Sequence, residues 1–157
     1  MTSQPFPEAP VSDLSLDSSL APADWPVRLT ARGIDVLVLA VIDGALGMLI
    51  GFGFHWLFLA AAIVLAYFSV LDVLAGATLG KRVLGLRVIG GDGGRPSMRQ
   101  ALTREAFTVL GAIPFIGPIL AVAAWTWIIV TIRSNPLRQG KHDLLAGTRV
   151  VLQRVDH

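Results

Sequence analysis

Three aspartates stand where aspartates are expensive. Asp35, Asp43 and Asp72 lie within the runs 34–54 and 56–75, which contain no Lys or Arg. A third run, 107–132, also lacks basic residues. Each run reaches the ~20 residues that cross a ~30 Å hydrocarbon core. A carboxylate at that depth costs about 2.5–3.5 kcal/mol on insertion scales unless it is paired or hydrated. Such groups serve two chemistries: ion pairs that fix a helix, or binding and transfer of protons and cations. Arg28 and Asp35, seven residues apart, nearly share a helical face and are natural partners. Arg32 competes for Asp35 or snorkels to headgroups. Asp43 is two turns further in, beyond the reach of any basic residue of its own helix. Gly47-x-x-x-Gly51 lies on roughly its side and would let a second helix approach closely. Asp43 is therefore expected to face the bundle, where Asp72, Ser69 or Arg104 could meet it. Protonation of a desolvated Asp43 is the alternative.

The elements that must position these residues follow from composition. Of 157 residues 54% are hydrophobic and 15% charged, with a mean hydropathy of +0.66. Soluble domains run at about 25% charged, so an integral membrane protein is expected. With no cysteine in the sequence, disulfides, thiolate metal sites and cysteine nucleophiles are excluded. Residues 1–24 carry four prolines, five serines and four acids but no basic residue. They are expected to form a disordered cytoplasmic tail, not a signal peptide, ahead of one membrane domain, 25–153.

Charge sets the topology. The connection 76–106 holds six basic residues and the segment after Ile132 five more. By the positive-inside rule both are cytoplasmic, as is the N-terminus. Three full spans would put the C-terminus outside. Pro114 and Gly117-Pro118 break the third run, so two short helices, 97–113 and 116–132, are read as a hairpin returning the chain inside. The alternative is one kinked third span. The β-branched segments 83–89 and 148–152 could then pair as a cytoplasmic ribbon.

Four motifs, in order, carry a resemblance. They are Arg28-Leu-Thr-Ala-Arg-Gly-Ile-Asp35, the glycine–lysine segment from Gly76 through Gly80-Lys81 to Arg87, the amphipathic 97–104 with Arg104, and Gln139-Gly-Lys-His142-Asp143 through Ala146-Gly147-Thr148. Together they resemble the RDD family of small bacterial membrane proteins over about 25–152. The resemblance implies a membrane bundle, a transport-related role, and Arg28, Asp35 and Asp143 as the signature polar residues.

Beside it, the residues themselves offer little catalysis. The segment 76–82 is not a phosphate loop, since three residues separate its glycines and Arg82 follows the lysine. It reads as a turn that sets Lys81 and Arg82 at lipid phosphates. The tryptophans at 25, 56, 125 and 127 fit interfacial belts, with 125 and 127 alternatively packed inside. His142-Asp143 fits a helix cap better than a metal fragment. No enzyme, cofactor, metal or nucleic-acid role is expected. The overall expectation is an all-α bacterial plasma-membrane bundle with a short β-ribbon. Its partners are the bilayer and further copies or other membrane proteins. Two functions stay open: transport of a cation or small solute along Asp35, Asp43, Asp72 and Arg104, or a non-catalytic accessory subunit packed through Gly47 and Gly51.

Overall fold

The computed structural model describes residues 20–153. Helix α1, Trp25–Ile50, starts where the Asp24 carboxylate accepts from the Trp25 amide at 2.8 Å, with Pro26 in its first turn. It stops at Gly51, whose φ of +83° turns the chain back. Helix α2, Phe54–Ala75, returns and ends in the left-handed Gly76. A short helix α3, Leu79–Val83, leads into strand β1, Leu86–Gly90. Helix α4, Met98–Glu105, opens on a capping box between Ser97 and Gln100.

The expected first leg of the hairpin changes winding part-way. From Ala106 to Ala112 the chain is a 3₁₀ helix. There the Thr108 hydroxyl donates to the Glu105 carbonyl at 2.7 Å, competing with regular α bonding. At about 2 Å per residue this leg reaches further than an α-helix of the same length. Phe115, with φ +66°, makes the turn after Pro114. Helix α5, Gly117–Ser134, then runs back against the 3₁₀ leg. A Cβ on Gly117 would stand 2.5 Å from the Gly111 carbonyl oxygen, so a glycine is required for this contact. Helix α6, Lys141–Ala146, and strand β2, Thr148–Leu152, complete the described chain.

The strands pair antiparallel from Leu86 opposite Leu152 to Gly90 opposite Thr148. The ribbon expected from the sequence therefore forms. It also decides the hairpin, because β1 follows α2 and β2 follows α5. Both strands can meet only if the 3₁₀ leg and α5 bring the chain back to the same end. The N-terminal side joins them there: Ala23 donates to the Val150 carbonyl at 3.0 Å, and Leu152 to that of Ala21 at 2.9 Å. The tail expected at 1–24 thus lies outside the described residues up to residue 19. Its last residues are ordered against β2, with Ala23 in a small core beside Leu86, Val88 and Val150.

Helices α1, α2 and α5, of 26, 22 and 18 residues, are long and apolar enough to cross a membrane. Little of each is covered by the chain itself: Leu37 on α1 is 70% exposed, Phe58 on α2 61% and Ile119 on α5 69%. Such surfaces belong in lipid.

Candidate functional site

Two polar regions lie along α1. The first is at the ribbon end, where α1, α2, α3, α4 and α6 converge. Asp143, in the first turn of α6, accepts from the Gly140 amide at 3.2 Å, the cap expected of it. It is also the partner of Arg28, whose guanidinium donates to one carboxylate oxygen and, at 2.8 Å, to the Arg138 carbonyl. The backbone of Arg138 sits at φ +53°, in the left-handed region that few non-glycine residues adopt. Arg104 reaches the other Asp143 oxygen at 3.3 Å and Asp72 at 3.8 Å. Asp72 accepts both contacts of the Lys81 ammonium, at 2.7 and 2.8 Å. Arg32 donates to Glu105 at 2.8 Å and lies 3.3 Å above the centre of the Phe68 ring.

Asp35 is satisfied differently. The Tyr67 hydroxyl (2.8 Å), the Thr78 hydroxyl (2.5 Å) and the Gly80 amide (2.7 Å) all donate to it. Three donors hold this fully buried carboxylate without a direct cation. The close approach depends on Gly80, where a Cβ would lie 2.0 Å from the Ala31 carbonyl oxygen. In all, four cations (Arg28, Arg32, Lys81, Arg104) face four carboxylates (Asp35, Asp72, Glu105, Asp143), and the formal charges cancel.

The titratable groups outside the spans reflect this pairing. Burial pushes Glu105 up, but Arg32 and Arg104 outweigh it and hold the carboxyl at about 2. Burial also opposes ionisation of Asp143, yet Arg104, His142 and Arg28 keep it well below the usual carboxylate range. For Arg104, Asp143 and Asp72 overcome desolvation and raise the guanidinium. Burial lowers the Lys81 ammonium despite Asp72, and pushes His142 down to about 4 despite Asp143. His142 is therefore neutral at pH 7, and the balance stands. A cavity of about 40 Å³ lies among these groups, room for two or three waters.

The second region is a cleft of about 630 Å³ between α1, α2, the 3₁₀ leg and α5. Its wall is mainly apolar and aromatic, and it contains Asp43. The Asp43 Oδ1 is buried with no hydrogen-bond partner, and among the described residues no basic side chain pairs with this carboxylate. The indole of Trp56 donates to the Asp43 backbone carbonyl at 2.8 Å and so ties α2 to α1 at that level. Leu29, Arg32, Phe107 and Trp125 line both the cleft and the small cavity, forming the wall between them.

Several pairings expected from the sequence are corrected. Arg28 does not pair with Asp35: seven residues put them about 10 Å apart along one axis, and each takes a nearer partner from another element. Arg32 does not snorkel, because Glu105 and Phe68 hold it inside. Asp43 meets neither Asp72, Ser69 nor Arg104; Asp72 and Arg104 belong to the ribbon-end network. Lys81 is 7% exposed and bound to Asp72, so it is no headgroup contact, while Arg82 beside it is exposed. Gly47 and Gly51 do not form a helix-packing face. The Phe52 ring covers Gly47, and Gly51 is the helix stop. Trp125 packs inside on Phe107, whereas Trp127 is 64% exposed.

Four residues not read as site residues from the sequence complete the site: Tyr67, Thr78, Gly80 and Glu105. The rejected phosphate loop held the useful signal. Thr78, Gly80 and Lys81 bind two carboxylates of the same chain, Asp35 and Asp72.

The model of the RDD family matches residues 22–147, a span that contains the network, the cleft, and Arg28, Asp35 and Asp143. The chain belongs to the RDD family. No curated protein and no solved structure matches it. Its RDD domain is a membrane protein's helical bundle closed at one end by an ion-pair network and a β-ribbon. In that network Arg28 and Asp143 bind each other, while Asp35 anchors α3.

Proposed function

We propose that this RDD protein is a transport-related module of the bacterial plasma membrane, and that the cleft beside Asp43 receives a cation or small solute. The observation that carries the reading is the contrast in charge. Among the described residues every other buried ionisable side chain has a hydrogen bond or at least an ion-pair contact, as Arg104 and His142 have with Asp143, whereas the Asp43 carboxylate has neither. An intramembrane acid without a counter-ion is a functional candidate by default, because its desolvation is otherwise uncompensated. The polar path read from the sequence shortens accordingly. Asp43 is its binding group, while Asp35, Asp72 and Arg104 belong to the closed end.

The ribbon end is assigned to the cytoplasm. Arg82, Arg95, Arg99, Arg133 and Lys141 are exposed there, against exposed Asp24 and Asp92. The accessory-subunit reading loses its main motif now that Phe52 covers Gly47. One small bundle encloses little pore, so further copies or other membrane proteins complete any pathway.

The test is flux into proteoliposomes, with a panel of cations and a pH-sensitive dye, comparing the native chain with Asp43→Asn. The native chain should move solute and the variant should not, with thermal stability retained. A native chain that moves nothing above empty liposomes would end the transport reading.

A further inference from the structure

We infer that the cleft takes a lipophilic organic cation, one positive charge on an apolar body, and not a metal ion. This rests on the reading that the Asp43 cleft is where cargo sits, and it names the chemical class.

Size is the first argument. The cleft, about 630 Å³, falls among pockets for small organic molecules, which run from roughly 300 to 1,000 Å³. A bare metal ion would leave most of it unfilled. Ligand supply is the second. Hard cations take about six to eight oxygens, or several waters held by carboxylates. Here one carboxylate faces the space, and the hydroxyl of Thr108 is engaged with the Glu105 carbonyl. No group of three His, Cys, Asp or Glu residues gathers there among the described residues.

Charge is the third argument. Asp43 and Arg32 lie on one stripe of α1, eleven residues and about 16 Å apart. Arg32 is neutralised by Glu105 and covered by Phe68, so among the described residues the cleft's one ionisable group without a partner is an acid, which can carry only negative charge. An anion finds no free partner, and a neutral solute leaves Asp43 stranded. The space between the two charges is walled by Leu39, Ala40, Val64, Ala121 and Trp125. A cation whose charge is spread over or capped by apolar groups sheds water at much lower cost than a small ion. Its charge would sit at Asp43 and its body along this wall.

Tetraphenylphosphonium and tetraphenylborate make a decisive pair, being nearly isosteric with opposite charges. The probe is radiolabelled tetraphenylphosphonium, in equilibrium dialysis against the full chain in nanodiscs. Saturable binding is expected, with tetraphenylborate excluded and millimolar sodium, potassium or magnesium unable to displace the label. Asp43→Asn should weaken binding at least tenfold. Ala40→Phe, which fills the cleft beside Asp43 while leaving its carboxyl group in place, should abolish it. Both variants are checked first by thermal unfolding. The inference is overturned if the phosphonium does not saturate, if the borate binds equally well, if either folded variant binds as the native chain does, or if millimolar metal ions displace the label. It also falls if native mass spectrometry finds a phospholipid held equally by the native chain and by Asp43→Asn, the mark of a lipid-tail groove. Metal-ion flux without phosphonium binding would sink this inference while leaving transport standing. Binding without flux would do the reverse.

Discussion

The two polar regions of α1 are built from the same residue types and have opposite characters. At the ribbon end, Asp35 has three donors, and Asp143 has Arg28, Arg104 and a backbone amide. Two turns beyond Asp35, Asp43 has a free carboxylate oxygen in an apolar cleft. The difference shows that depth alone does not mark a functional charge. Five elements converge on the first region, so each ion there has a partner and serves as a joint. Beside Asp43 the Trp56 indole meets its backbone carbonyl, and among the described residues no group bonds its carboxylate.

If the network is a joint, removing one member strands another. Replacing Asp143 by Ala leaves Arg28 and Arg104 buried without it, and breaking such a pair costs about 3–5 kcal/mol. Thermal unfolding should show that loss, and a double-mutant cycle should show coupling between Arg28 and Asp143. Arg28 and Asp35 should be nearly additive. Coupling of Arg28 to Asp35 would restore the pairing suggested by their shared helical face.

A smaller loss is expected at Gly80, where an alanine Cβ would meet the Ala31 carbonyl. The backbone must shift, at about 1–3 kcal/mol. Tyr67 fluorescence is not specific enough to follow it, but the unfolding midpoint is.

Acid should loosen the network next. The folded pKa of His142 is about 4 against an ordinary 6.5, so the unfolded chain binds the extra proton first. Stability from this group is full above pH 6.5 and is lost as pH falls towards 4. Glu105, about 2 against 4.5, adds a second loss between pH 4.5 and 2. Stability measured from pH 8 to 4 should therefore fall with acid, and His142→Phe should flatten the upper part of that slope. An unchanged slope in the variant would mean His142 is not buried neutral. The smallest effect is expected at Gly47→Ala. There the obstacle is the Phe52 ring, which can turn aside, so the cost should stay within about 1 kcal/mol.

Much of the scaffold was legible from local signals. Runs without basic residues mark the spans, Pro114 and Gly117 mark the reversal, and β-branched segments mark the ribbon. The 3₁₀ leg was not, since residues 106–112 carry the same apolar, helical pattern as the spans. Partner choice at the site was hidden for a different reason. Helical spacing reports which residues share a face, but the donors to Asp35 come from Tyr67, Thr78 and Gly80, on later elements. Likewise Lys81 reads as a surface charge until α3 is laid against α1 and α2. The spacing of Gly47 and Gly51 is that of a packing face, yet the second glycine is where the helix ends.

The most direct test of the division between joint and cleft is the unfolding midpoint of two variants that make the same change. Asp143→Asn should lose several kcal/mol, about 6–20 °C for a chain of this size. Asp43→Asn should unfold within a degree or two of the native chain, because no ion pair is broken. Equal losses in the two variants would contradict the division and return Asp43 to the structural network.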